Sequence, residues 1–318
     1  MRVGVVGLGL IGGSVARRLA SRHDVRVWDT DPGTRELATG AGLAVAAERD
    51  DEVVILAVPM DVLPAALAAA GGAIVTDVGS VKAPVLAAAR AAGVADRYVG
   101  GHPMTGVEQS GFGAADPALL DDAVWVLCLE DDTDLERWLT VAGLVTAAGC
   151  RVVPTTAAAH DEAQARISGL PHLLASALAV AGGVGGPLAL ALGAGSFRDG
   201  TRVAGSRPEF VAALCDGNRE ALAGVLEETL AGLTAARDAM RKGDTVLPLA
   251  VAGYAARQAW AEDAPAAPVA LDRAAQTLRA DLLALGAAGG TVESVTDREV
   301  HGTRPDVSPG PRTGRFRP

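Results

Sequence analysis

Residues suited to chemistry appear at the very start of the chain. Gly7, Gly9 and Gly12 are spaced G-x-G-x-x-G, directly after the apolar run Val3-Gly4-Val5-Val6. In that pattern one glycine makes a tight turn, one lets the backbone approach a pyrophosphate, and one packs a helix on its strand. The backbone of Gly7, Leu8, Gly9, Leu10, Ile11 and Gly12 is therefore expected to face the phosphates, with unpaired N–H groups of a helix N-terminus turned to the anion. Asp29 closes the next apolar stretch, Val25-Arg26-Val27-Trp28. A carboxylate about 20 residues past the glycine turn suits the ribose hydroxyls of NAD. The expected cofactor is NAD rather than NADP, because Thr30 and not an arginine follows Asp29, and Arg35 lies a helical turn or more further along.

Two more positions suit the oxidation of an alcohol. His102 lies in Gly100-Gly101-His102-Pro103-Met104, and imidazole is the side chain most readily poised to take a proton near neutral pH. Ser80 lies in the polar turn Val78-Gly79-Ser80-Val81-Lys82. Taken singly, Ser80 reads as a helix cap ahead of Pro84, and a lone histidine as a satisfied structural residue. Both follow strands at the carboxyl edge, however, where ligands of open α/β sheets bind. Val58, which precedes Pro59 at the end of the apolar run from Val53, is expected at that edge as a cofactor neighbour. Residues 196–207 add Arg198, Arg202 and Arg207 against the single acid Asp199. An arginine fork matches a carboxylate bidentately.

Length and composition bound the reading. The 318 residues suit two domains, and a chain 49% hydrophobic and 21% charged suits a packed globular protein. A net charge of -10 argues against a broad nucleic-acid surface. Cys128, Cys150 and Cys215 are odd in number, widely spaced and set in apolar segments. They read as reduced thiols of a cytoplasmic protein, with no metal site implied. The first apolar run is already the cofactor strand, so no signal peptide is expected. The alanine-rich runs are interrupted by glycine, proline or charge, so no membrane span is expected either. Of the 28 basic residues only Lys82 and Lys242 are lysine, which draws attention to each.

The elements needed to hold these residues can be read in order. Strands are expected from Val3 into the glycine turn, at 25–28, 51–59, 73–77, 98–102, 123–129 and 150–153, alternating with a helix that carries Val15 and Leu19 and with helices at 32–39, 62–70 and 134–148. Together they make a Rossmann-type domain, with a parallel sheet, ending near Pro154. Residues 157–181 and 208–285 have helical periodicity without convincing strands, so the domain over 155–285 is expected to be all helical. Pro208 suits a helix first turn, Gly243-Asp244 a helix end, and Pro265 and Pro268 a helical hairpin. The tail 286–318 is too poor in apolar residues to fold alone, although Thr291–Val295 has the pattern of a short strand.

These residues resemble one family, the prephenate and arogenate dehydrogenases of tyrosine biosynthesis. The resemblance covers residues 1–285 and rests on five pieces in order. They are Gly-Leu-Gly-Leu-Ile-Gly-Gly-Ser (7–14), Asp-Val-Gly-Ser-Val-Lys (77–82), Gly-His-Pro-Met-Thr-Gly-Val-Glu (101–108), His160-Asp161 with Ser-Gly-Leu-Pro-His (168–172), and Phe-Arg-Asp-Gly-Thr-Arg-Val-Ala (197–204). The resemblance implies an NAD(P)-linked oxidative decarboxylation of a cyclohexadienol, and a homodimer formed through the helical domain. It assigns His102 as the group that takes the substrate hydroxyl proton, Ser80 as its companion near the nicotinamide, and Arg202 as a substrate carboxylate ligand. It places His172 and Gly169 in the substrate pocket. His160 and Asp161 either order the first helix of the second domain or help to shape the cleft.

The chain departs from the family pattern at Gly169, where histidine is frequent, at Val107, where threonine is, and at Val211, where tryptophan is usual. Two rival readings differ in chemistry. A β-hydroxyacid-type dehydrogenase shares the layout but needs a lysine on the first helix after the nucleotide domain, and residues 157–181 contain none. A non-catalytic NAD sensor needs none of Ser80, His102 and Arg202.

Overall fold

The computed structural model describes residues 1–46, 50–106, 109–260 and 265–305. Strands β1 (Arg2–Val6), β2 (Asp24–Trp28), β3 (Ala44–Val45), β4 (Val53–Leu56), β5 (Ile74–Asp77) and β6 (Tyr98–Val99) form one sheet in the order β3-β2-β1-β4-β5-β6. Every pairing in it is parallel. All four residues of β4 are buried, as expected of a central strand covered on both faces. The first connection is the helix Leu10–Leu19, which buries Val15, Ala16 and Leu19. The second, Pro32–Gly40, starts on an Asp31 cap whose carboxylate accepts from the Thr34 N–H at 2.8 Å.

After β6 the chain changes sheets. Strand β7 (Gly101–Pro103) pairs antiparallel with β8 (Val124–Cys128), which runs parallel to β9 (Arg151–Thr155). Three later strands extend this second sheet: β10 (Ala266–Asp272), β11 (Thr291–Val295) and β12 (Glu299–Pro305), in the order β10-β12-β11-β9-β8-β7. His102 is thus the middle residue of a strand in the second sheet, one step past the crossover, and does not end a parallel strand.

This corrects two expectations about the C-terminal part. Residues 266–272 are a strand and not part of a helical hairpin; Pro268 is tolerated because β10 is the edge strand. The segment 286–305 is also not a poorly structured tail. Leu278, Leu282 and Leu285 of the helix Leu278–Ala287 share a buried core with Val152, Val292 and Val300. The segment lacks the apolar content for a core of its own and instead completes that of the N-terminal unit. Residues 306–318 lie outside those described.

Between β9 and β10 the described elements are helical: Ala157–Gln164, Leu170–Val184, Gly186–Ala191, Gly195–Thr201, Pro208–Gly217, Arg219–Lys242 and Leu247–Ala259, with short linking turns. Gly243 ends the helix Arg219–Lys242 at φ +80°, the left-handed cap that glycine adopts most easily. Here a further expectation is corrected. Gly169 and Pro171 do not interrupt the first run, because a π-helical turn at Ala165–Gly169 joins its two parts. The continuous helix Ala157–Val184, 28 residues with a mean hydropathy of 1.5 in its most apolar window, is long and apolar enough to cross a membrane. Its first turns are nevertheless docked: His160, Asp161 and Gln164 are buried. The apolar interior of the helical region is small, built on Ala165, Leu222 and Val225. Val180, Val184, Leu188, Leu192, Tyr254 and Trp260 are exposed on it.

Candidate active site

The glycine turn has the shape expected of a phosphate cradle. Gly7 has φ +88°, and a side chain there would run into the Ala57 carbonyl and Val58. At Gly12 a side chain would meet the Gly7 carbonyl and Ala57, so helix and strand touch directly. Gly9 differs, since a β-carbon there would meet nothing within 4 Å. The open side of the turn lies at the N-terminus of the helix Leu10–Leu19, which no side chain caps. A pyrophosphate fits such a place, where helix N–H groups and the helix dipole both favour an anion. Leu8, by contrast, is buried, and its N–H donates to Asp29 Oδ2 at 2.7 Å. That bond ties the end of β2 to the turn.

Asp29 Oδ1 also accepts the Asp31 N–H at 2.9 Å, which holds the carboxylate at the carboxyl end of β2. Arg35 is closer than its sequence position indicates. Its guanidinium folds back to donate to the carbonyls of Asp29 at 2.7 Å and Thr30 at 2.9 Å, and stacks over Trp28 at 4.7 Å. A cation therefore stands against the backbone at the carboxyl end of β2.

His102 is the end of a three-residue line that crosses between the sheet and the helices. Its Nδ1 is 2.9 Å from His160 Nε2, and His160 Nδ1 is 2.7 Å from Asp161 Oδ1. Asp161 also accepts the backbone N–H groups of Lys82 and Ala83, each at 2.7 Å, and so caps the helix Ala83–Ala91 from a distant part of the chain. The Asn218 amide donates to the Asp161 carbonyl at 2.7 Å, bringing the start of the long helix Arg219–Lys242 to the same point.

The line sets the tautomers. A carboxylate only accepts, so His160 Nδ1 carries a proton toward Asp161 and its Nε2 accepts from His102 Nδ1–H. The lone pair of His102 is then on Nε2, free to take a proton from a substrate. Burial holds the His102 pKa well below 6.5, helped by His160 and by the positive charge of Lys82. The imidazole is thereby kept in its basic form at neutral pH.

Ser80 occupies the turn between β5 and the helix Ala83–Ala91, half-buried, two residues before the Lys82 N–H that holds Asp161. Beneath that turn is a polar cluster that was only partly legible in sequence. Lys82, 1% exposed, pairs with the fully buried Asp77, and its ammonium also donates to the Gly101 carbonyl at 2.8 Å. Asp77 further accepts Tyr98 OH at 2.7 Å, Gly101 N–H at 3.1 Å and Gly79 N–H at 2.9 Å. The rarity of lysine was the available signal for Lys82; nothing in the spacing pointed to Tyr98 or Asn218.

The substrate-side residues are less gathered. His172 bonds the Ser168 carbonyl through Nδ1 at 2.9 Å and packs edge-on to Phe210 at 6.0 Å. Val211 sits next to Phe210 on the first turn of Pro208–Gly217. Gly169 is buried, and a β-carbon there would lie 3.0 Å from Leu222. Its lack of a side chain is thus a matter of packing on the long helix. Val107 lies outside the described residues. Arg202 begins a short turn after Gly195–Thr201 and is exposed. Among the described residues it has no carboxylate partner, and no bond joins it to His102 or Ser80. The cysteines are free, with Cys128 and Cys150 buried and pushed up in pKa by that burial.

The family model of the prephenate dehydrogenase nucleotide-binding domain matches residues 13–154, and that of the prephenate dehydrogenase dimerization domain matches 156–247. A cyclohexadienyl dehydrogenase of Zymomonas mobilis is 32% identical over 264 residues, covering 76% of this chain and 89% of that one. The prephenate dehydrogenase of Lactococcus lactis is 31% identical over 219 residues, but the match spans only 60% of its length. A solved Corynebacterium glutamicum chain, described as a proposed prephenate dehydrogenase, superposes at TM-score 0.85 with 35% identity. That superposition covers 92% of this chain and 99% of the other. With both halves matched in order and the fold shared end to end, this chain belongs to the prephenate dehydrogenase family.

Proposed function

We propose that the chain catalyses the NAD-dependent oxidative decarboxylation of a cyclohexadienol, prephenate to 4-hydroxyphenylpyruvate or arogenate to tyrosine, in tyrosine biosynthesis. The observation that carries this reading is the His102–His160–Asp161 line, which leaves a basic nitrogen on His102. His102 Nε2 takes the proton of the ring hydroxyl as the carbon that bears it loses hydride. NAD+, when bound, supplies the hydride acceptor. The bond from the ring to its carboxylate then breaks, carbon dioxide leaves, and the electron pair enters the ring to make it aromatic. The phenolate oxygen takes the proton back from His102, so the histidine ends neutral. Ser80 orients the hydroxyl beside His102, Arg202 and His172 bind the substrate side, and the apolar helical faces join two copies as a homodimer in the cytoplasm.

The test is direct. Purified protein should reduce cofactor when given prephenate or arogenate, and release carbon dioxide in equal amount. Binding of NAD without turnover of either substrate would favour a sensor.

NAD should be used with a higher kcat/KM than NADP, because the Asp29 carboxylate repels a 2′-phosphate. Arg35 opposes that repulsion from beside it, so the two side chains should act in opposite directions. Asp29→Ala should narrow the preference for NAD and Arg35→Ala should widen it. Equal or better efficiency with NADP in the wild type would remove Asp29 from this role.

A further inference from the structure

A fully buried lysine is unusual, because an ammonium withdrawn from water must be offset by partners of good geometry. Lys82 has such partners, and they belong to the pieces that frame His102. Its ammonium is held between the Asp77 carboxylate and the carbonyl of Gly101, the residue next to His102. Asp77 in turn grips Gly101 through its N–H, so both polar groups of that peptide neighbourhood are taken. Meanwhile the Lys82 backbone N–H donates to Asp161, which holds His160, which holds His102.

On the reading of His102 as the base, we infer that Lys82 is its positioning residue. The side chain fixes the strand beneath His102, the backbone anchors the far end of the histidine line, and Ser80 lies in the turn between. The charged and titratable groups that act on His102 are His160 from the helical side and Lys82 from the turn after β5; Asp161 stands behind His160, and Asp77 and Tyr98 of the first sheet stand behind Lys82. Tyr98 stays protonated, since burial and the adjacent Asp77 push its pKa well above 10. Among these the Lys82 cation opposes a second positive charge on the imidazole, which gives the placement an electrostatic consequence as well as a geometric one.

The test begins with the unaltered protein, where Lys82 and Lys242 are the only lysines. With 15N-labelled lysine, the Lys82 ammonium should give a slowly exchanging signal that moves at the pH where His102 titrates, while that of exposed Lys242 does not. The His102 signal is identified by its loss in His102→Asn. No response of Lys82 to that titration would overturn the proposal, whether or not the chain turns over either substrate.

Variants supply the second arm. Lys82→Met leaves Asp77 buried without its cation and should lower the Tm. Asp77→Asn combined with Lys82→Met removes both charges and should restore much of it. The double variant should still show kcat at least about tenfold low with the KM for NAD within a few-fold, as expected when a group acting only in the transition state is misplaced. Recovery of both Tm and kcat by the double variant would make the pair merely structural and would overturn the inference.

Discussion

Replacing His102 by asparagine is expected to lower kcat by about 10²- to 10⁴-fold, the range for loss of a positioned general base, with NAD affinity nearly unchanged. Asparagine keeps a polar group near His160 but has no nitrogen able to take a proton. The glycine turn and Asp29 are held by other bonds, so the cofactor site should survive. The same assignment fixes the pH profile. The base must be neutral, and burial holds its pKa well below 6.5. Activity is therefore expected to persist as pH falls through 6.5 and to be lost only below it, as the imidazole protonates. A wild-type acid limb centred above 6.5, or near-normal turnover by His102→Asn, would return His102 to a structural role.

Arg202→Ala is expected to raise the KM for the cyclohexadienol by more than about tenfold, because the substrate carboxylate would lose its charge-assisted fork. The motivation is that Arg202 is a cation without a carboxylate partner among the described residues, in a chain of net charge -10. A guanidinium with no carboxylate partner among the described residues suits an anionic ligand. Arg202→Lys should recover only part of the loss, since an ammonium keeps the charge without the fork. The KM for NAD should stay within a few-fold, because the cofactor turn belongs to the other half of the chain. Exposure of Arg202 also means that the alanine variant should fold normally. Unchanged substrate KM in a folded Arg202→Ala protein would exclude it from the site.

Much of the site was legible in sequence because its parts are local. A glycine turn after an apolar strand, an acid at the end of the next strand and a proline-led helix each follow from the conformational limits of a few adjacent residues. Gly7 with φ +88° and the Asp31 cap are such cases. Family motifs then named His102, Ser80 and Arg202, without saying what surrounds them.

What only the tertiary structure decided has a common physical cause: pairing between residues far apart in the chain. Arg35 looked remote from Asp29 until its long side chain folded back along β2. His160 and Asp161 had two open roles until Asp161 was found capping a helix 78 residues earlier in the chain and aligning His160 with His102. The segment 286–305 is too poor in apolar residues for a core of its own. It is ordered because β9 offers an open edge and Val152 an apolar surface, and Val292 and Val300 complete them. Local sequence determines which backbone shapes are allowed, and the burial of distant partners selects among them. That is why the cofactor turn could be read residue by residue, while the burial of Lys82 between Asp77 and the residue next to His102 could only be seen once the chain was folded.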